Sequence, residues 1–191
     1  MKTLYVVRHG QTYFNVQHRI QGWCDSPLTD KWIKQAKQAH EILKDVNFDT
    51  LVCSTSERCC DTMEYIAPNQ PYQRSKDLRE RWYGEVEGEV YIGAGQQDIY
   101  GDTLTSKVGG ESAQDVKTRV SYYLQQVCHD RDSQVILAVS SGVSIAYFLE
   151  TCHMDPSLEA IKETGVGNCC ILKLTWGHDM FTLVEIMNQN L

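Results

Sequence analysis

No stretch of this 191-residue chain approaches the roughly 20 consecutive apolar residues that a helix needs to cross a bilayer, so no membrane partner is expected. The N-terminus also lacks a hydrophobic signal region and opens directly on a strand, which points to the cytoplasm. Positive charge is scarce: 18 Lys and Arg stand against 25 Asp and Glu, a net charge of -7. Such a field repels polyanions, which argues against nucleic acid and requires any phosphate site to be a local concentration of arginine. There is no Cys-x-x-Cys, and the six histidines are scattered at positions 9, 18, 40, 129, 153 and 178, so no metal site is expected. The eight cysteines therefore read as reduced thiols and not as a disulfide framework. No repeat, low-complexity tract or linker divides the chain, and 42% apolar with 23% charged residues suits one soluble domain over residues 1–191.

What is present is an alternation of strands and helices. Thr3 to Val7 reads as a buried strand that runs into Arg8-His9-Gly10. After an irregular stretch over residues 8–28, Thr29 is placed to cap a helix whose apolar face is Trp32, Ile33, Ala36, Ala39, Leu43 and Val46. Leu51 to Cys53 is a short buried strand, followed by a helix from about Glu57 to Ala67 that Pro68 closes. Residues 84–110, dense in glycine and without a period, read as a loop-rich lid or insertion. Ser112 with Asp115 predicts a capping box for a helix carrying Val116, Val120, Leu124 and Val127 on one face. Val135 to Val139 is continuously apolar, as in the centre of a parallel sheet. Ser140-Ser141-Gly142 ends it, and a helix resumes from Val143 to Thr151. Segments 169–174 and 181–186 predict an antiparallel hairpin. The expected fold class is α/β: a three-layer α/β/α arrangement with a mostly parallel central sheet and a C-terminal antiparallel hairpin.

In such a sheet, ligands bind outside the carboxyl ends of the strands. Those ends deliver Arg8 and His9, then Ser141 and Gly142, then Arg58 at the start of a helix whose amide dipoles favour an anion. Glu80 sits in the run Leu78 to Gly84, while Asn15 and Gln21 offer neutral donors after His9. Thr12, Asp25, Thr29 and Glu111 are expected to make turns and caps.

In order along the chain, these pieces resemble the histidine phosphatase superfamily, also called the phosphoglycerate mutase-like family. The likeness is carried by Arg8-His9-Gly10 with Thr12 and Asn15, by Gly22-x-x-Asp25-Ser26-Pro27-Leu28-Thr29, and by Gln35-Ala36. It continues through Ser54 to Thr62 around Arg58, Leu78-x-Glu80 with Gly84 and Glu87-Gly88, and Gly109-Gly110-Glu111-Ser112. The resemblance implies a phosphomonoesterase that needs no cofactor and acts on a small phosphorylated metabolite, with inorganic phosphate as a further ligand. By the same resemblance His9 is the nucleophile, a neutral imidazole forming a phosphohistidine that divides hydrolysis into two steps. Arg8 and Arg58 hold the phosphoryl oxygens with their guanidinium forks, and Asn15, Gln21, Ser141 and Gly142 complete that site. Glu80 gives a proton to the departing alcohol and later takes one from water.

Two positions depart from the family. Where it normally has a second histidine, in a Ser-His-Gly turn, this chain has Ser141. Losing one preorganised donor of that kind costs about 10² to 10³ in rate, so reduced activity is expected. His153 does not replace it, since a helix of about nine residues intervenes. Trp32 stands where the family usually has glycine, and is expected in the core or on the surface. The short 84–110 region favours hydrolysis over mutase action, because mutases of this family tend to carry a longer insertion there. Ser141 also carries the rival reading, a phosphate-ligand binding or regulatory protein without turnover. Arg74, Arg79, Arg81, Trp82 and Tyr83 are candidates to face the rest of the substrate.

Overall fold

The structure is a computed structural model and describes residues 1–90 and 106–189. Its central strand is β1 (Lys2–Arg8), whose side chains alternate between two apolar cores. Leu4 and Val6 face one core and Tyr5 and Val7 the other, which is why Leu4 to Val7 is continuously apolar. β4 (Val135–Ser140) pairs with β1 in parallel and sets Ser140 opposite Arg8. β2 (Thr50–Ser54) lies parallel to β4, and β3 (Gln73–Ser75) parallel to β2. On the other side of β1 lies β6 (Ile171–Gly177), antiparallel to it, and then β7 (Met180–Met187), antiparallel to β6. His178 and Asp179 join this hairpin with φ of 53° and 58°, as a two-residue turn of the primed type requires. β5 (His153–Met154) lies beside β7, giving the order β3-β2-β4-β1-β6-β7-β5 with β6 alone reversed.

Helices cover both faces. α2 (Asp30–Leu43) and α3 (Glu57–Ile66) bury Ala36, Ala39, Leu43, Met63 and Ile66 against one. α4 (Ala113–His129) and α5 (Gly142–Leu149) bury Val116, Val120, Leu124, Ile145 and Phe148 against the other. α1 (Tyr13–Val16) and α6 (Ile161–Thr164) are single turns. The fold is therefore the three-layer α/β arrangement with a mostly parallel sheet and a C-terminal hairpin. Among the described residues no helix is long and apolar enough to cross a membrane, and all eight cysteines are free.

Local details differ from the sequence pattern for identifiable reasons. Ser112 and Asp115 form the predicted capping box, but the buried end of that helix is Cys128 and not Val127. Thr29 occupies the cap position of α2, yet its hydroxyl donates to Gln11 Oε1 (3.0 Å) and not to the helix. Ile33 is 46% exposed, while Gln35 is buried because its Oε1 accepts the Gln11 N–H at 3.1 Å. Within the predicted lid, residues 91–105 lie outside the described residues, and the flanks meet where Glu85 N–H donates to Val108 O (2.9 Å). Gly84 makes that meeting possible: its φ is +62°, and a Cβ there would stand 1.8 Å from Val108 O. Gly84→Ala is expected to destabilise the protein by about 2–4 kcal/mol, read from urea unfolding; a loss under about 1 kcal/mol contradicts this account.

Candidate active site

β1, β2 and β4 run in the same direction, so their carboxyl ends share one edge of the sheet. His9 follows β1 directly, and its N–H donates to Ser140 O at 3.0 Å. The imidazole is only 3% exposed, and its Nδ1 lies 2.8 Å from Gly10 O. A carbonyl oxygen can only accept, so Nδ1 carries the proton and Nε2 presents a lone pair. The Gly10 peptide is fixed in turn by its N–H, which donates to Thr62 Oγ1 at 3.0 Å. Burial first, then the charges of Arg58 and Arg8, hold His9 well below its ordinary pKa of 6.5, so the ring is neutral at neutral pH.

Arg8 lays its guanidinium over the first residue of α5. Glycine gives it room, since a Cβ on Gly142 would crowd the arginine at 3.0 Å from Nε. Arg8 also donates to Val166 O at 2.5 Å. Arg58, at the start of α3, is 1% exposed. One terminal nitrogen donates to Cys24 O (3.1 Å) and Asp25 Oδ1 (2.9 Å), the other to Gly22 O (2.8 Å) and Ser141 Oγ (3.3 Å). Its Nε is buried with no partner among the described residues. Asp25 Oδ2 also accepts the Glu57 N–H at 2.6 Å, so this carboxylate both pairs the arginine and caps α3. Asp25→Ala leaves a buried cation half-paired, and a loss of about 2–4 kcal/mol is expected in thermal unfolding, with Asp25→Asn recovering only a minor part, since it brings no charge and one acceptor for two donors.

Glu80 reaches the amino end of α5. Its Oε1 accepts from the N–H of Arg81 (2.9 Å), the N–H of Ser144 (2.8 Å) and the Ser144 hydroxyl (3.1 Å). Among the described residues Oε2 accepts only the Val143 N–H (2.9 Å), which leaves capacity for another partner. Ser141, fully buried, touches Arg58 and lies 3.8 Å from Cys59 Sγ, a thiol that burial pushes up to about 12 and keeps uncharged. His153 is exposed on β5, beyond β6 and β7 as seen from β1, and does not substitute for the histidine expected at 141.

A cleft of about 280 Å³ opens at this edge of the sheet. Arg8, Asn15, Gln21, Glu80 and Gly142 line it; His9, Arg58 and Ser141 are buried and do not. Of the residues expected to face the remainder of a substrate, Tyr83 alone lines the cleft. Arg81 is buried and donates to Glu111 O (2.8 Å) and Tyr147 OH (2.9 Å). Arg79 lies over Trp23 at 5.0 Å, Trp82 packs on Trp23 at 5.2 Å, and Arg74 is exposed on β3. Trp32 is half-buried, edge-on to Tyr65 at 5.3 Å, and its Cβ lies 2.9 Å from where a Cβ on Gly10 would stand. Thr12 caps α1 as expected, and Glu111 accepts the Trp82 N–H (2.8 Å) while pairing with Arg119 (2.8 Å).

Sequence reasoning missed Arg19, which lines the cleft, and Asn168, whose amide donates to His9 O (3.1 Å). Asn168 precedes β6, and the start of a reversed strand lies at the same edge as the ends of its parallel neighbours. Recognising that reversal would have pointed to it.

A three-layer α/β protein with a histidine, two arginines and a carboxylate at the carboxyl edge of its sheet is of the class that takes small anionic ligands at strand ends. Residues 4–189 match the histidine phosphatase superfamily (branch 1), and the chain belongs to that family. Among its relatives, a 2,3-bisphosphoglycerate-dependent phosphoglycerate mutase 2 of Gloeobacter violaceus is 28% identical, the match covering 88% of this chain and 83% of the relative. The uncharacterised phosphatase PhoE of Bacillus subtilis is 27% identical over 97% of this chain and 94% of its own length. The solved structure of Bacillus stearothermophilus YhfR superposes with a TM-score of 0.81 at 26% identity, covering 96% of each chain. The family context is thus that of phosphatases and phosphoglycerate mutases.

Proposed function

We propose that the protein is a cytoplasmic phosphomonoesterase of one domain that hydrolyses a small phosphorylated metabolite through a phosphohistidine at His9, slowed by Ser141. The observation that carries this reading is the state of His9, neutral, with Nδ1 tied to Gly10 O and Nε2 left as the nucleophilic atom beside two guanidiniums. In the first step Nε2 attacks phosphorus, the ester P–O bond breaks, and the Glu80 carboxyl gives a proton to the departing alcohol. In the second, water attacks the phosphohistidine, Glu80 takes its proton, and inorganic phosphate leaves. Arg8, Asn15 and Gln21 offer donors to the phosphoryl oxygens from the cleft wall, and Arg58 offers its Nε. The experiment is to trap the phosphoenzyme from an aryl phosphate and locate the label by mass spectrometry. Label at His9 supports the reading, and turnover with label elsewhere or nowhere sinks it.

One observation favours a second reading, a phosphate-binding protein without turnover. Both terminal nitrogens of Arg58 are already engaged by backbone carbonyls, Asp25 and Ser141, which leaves less of that cation for a transferring group. Calorimetric phosphate binding without hydrolysis anywhere between about pH 4 and 8 is the result it predicts. A phosphorylated acceptor alcohol among the products would instead indicate mutase-type transfer.

A further inference from the structure

Two neutral amides in the cleft are held by a network that the steps above do not require. Asn15 Oδ1 accepts the Thr12 N–H at 3.1 Å and Asn168 Nδ2 at 3.2 Å. Gln21 Oε1 accepts the Thr12 hydroxyl at 2.7 Å, and Gln21 Nε2 is buried with no partner among the described residues. With two bonds accepted, Asn15 Oδ1 is filled and that side chain has N–H groups left to offer a ligand, while Gln21 offers its unpartnered Nε2; both residues line the cleft. Asn168 Nδ2 has two hydrogens and uses the second on His9 O at 3.1 Å, while the next residue, Cys169, donates its N–H to Arg8 O at 3.0 Å. One loop thus holds the carbonyls of Arg8 and His9 and the amide of Asn15.

We infer that Asn168 is a positioning residue that shares with the Thr12 N–H the fixing of the Asn15 amide's sense, so that Asn15 meets a phosphoryl group as a donor. The inference rests on the phosphate reading of the cleft. Its physical content is a sign. An amide turned through 180° exchanges an attractive N–H for a carbonyl oxygen that repels a phosphate dianion. Removing the Asn168 amide leaves Thr12 N–H still holding Asn15 Oδ1, so the orientation survives. Reversing its polarity does not leave it intact: an aspartate at 168 sets acceptors against Asn15 Oδ1, and Asn15 turns to donate to the new carboxylate.

The test is a calorimetric titration of inorganic phosphate into wild type, Asn168→Ala and Asn168→Asp, alone and in an Asn15→Ala background. Asn168→Asp is expected to weaken phosphate binding by at least about 10-fold and Asn168→Ala by no more than about threefold. In the Asn15→Ala background the aspartate penalty is expected to fall below about threefold, because the turned amide is no longer there. Equal effects of alanine and aspartate overturn the inference. So does an aspartate penalty that persists without Asn15, which is plain charge repulsion. If wild type binds no phosphate, the phosphatase reading fails by itself. The Asn15 side-chain amide resonances then decide: displaced in Asn168→Asp beyond Asn168→Ala they uphold the amide lock, and coincident they overturn it.

Discussion

Exchanging Ser141 for histidine is expected to raise aryl phosphate hydrolysis by about 10² to 10³-fold, or about 3–4 kcal/mol of transition-state stabilisation. Ser141 is the cap residue of α5, where β4 ends at the shared edge, and its hydroxyl accepts from Arg58 at 3.3 Å. Neither that hydroxyl nor the neutral Cys59 thiol beside it brings a cation of its own. An imidazolium there adds a charged donor and frees one N–H of Arg58, whose nitrogen stays held by Gly22 O. The gain is expected to grow as pH falls below 6.5, since burial and the Arg58 charge lower the pKa of an imidazole at this position as they do that of His9. Ser141→Ala separates the two effects: it releases Arg58 without adding a charge, and is expected to change the rate by no more than about threefold. Rates of aryl alcohol release across pH check both variants. A histidine variant no faster than wild type means that the missing cation does not limit this protein, and favours the binding reading.

With Ser141→His in place to give a measurable rate, His9→Ala is expected to lower hydrolysis by about 10⁴-fold or more and to abolish the phosphoenzyme. The pH dependence has a definite sign. Only the neutral ring attacks, and burial with Arg58 and Arg8 lowers the pKa of His9, so its acid limb is expected well below pH 6.5. The same shift acts on stability. As pH falls past 6.5 the unfolded chain takes the proton first, so His9 erodes stability between 6.5 and its lower native value and not above 6.5. A limb at pH 6.5 or higher, or an alanine variant that still forms the phosphoenzyme, refutes the assignment of His9 as nucleophile.

Where burial dictated residue type, the fold was legible in the sequence. Leu4 to Val7 and Val135 to Val139 could be uninterrupted only in strands covered on both faces, and Ser112 with Asp115 marked a helix start by its own hydrogen-bonding chemistry. β3 and β5 left no pattern, since edge strands of three and two residues are too short to have a period. Ile33, expected on the buried face, is exposed, and Gln35 is buried where it accepts the Gln11 N–H. Of the site, the residues at strand ends could be placed from the alternation of strands and helices, and their roles only from the family resemblance. Whether Arg81 would face the cleft or support Glu111 and Tyr147 from beneath could not, because adjacent residues in an irregular segment point in directions that only tertiary packing sets. Asn168 was hidden for a related reason: its importance follows from the direction of β6, not from its neighbours.

The central place of β1 also bears on how the molecule is made. Both strands that flank it come from the far half of the chain, β4 beginning at Val135 and β6 at Ile171. A chain growing from its amino end therefore carries His9 through most of synthesis with no partner on either side of its strand. Closing such long loops is slow, and it comes late. Until β6 docks, Asn168 and Cys169 have no carbonyls of His9 and Arg8 to hold. A chain halted short of β6 would thus possess His9, Arg8, Asn15, Arg58 and Glu80 without one of the strands that hold β1 in the sheet, so that the site would be assembled with the last strands and not when its residues are made.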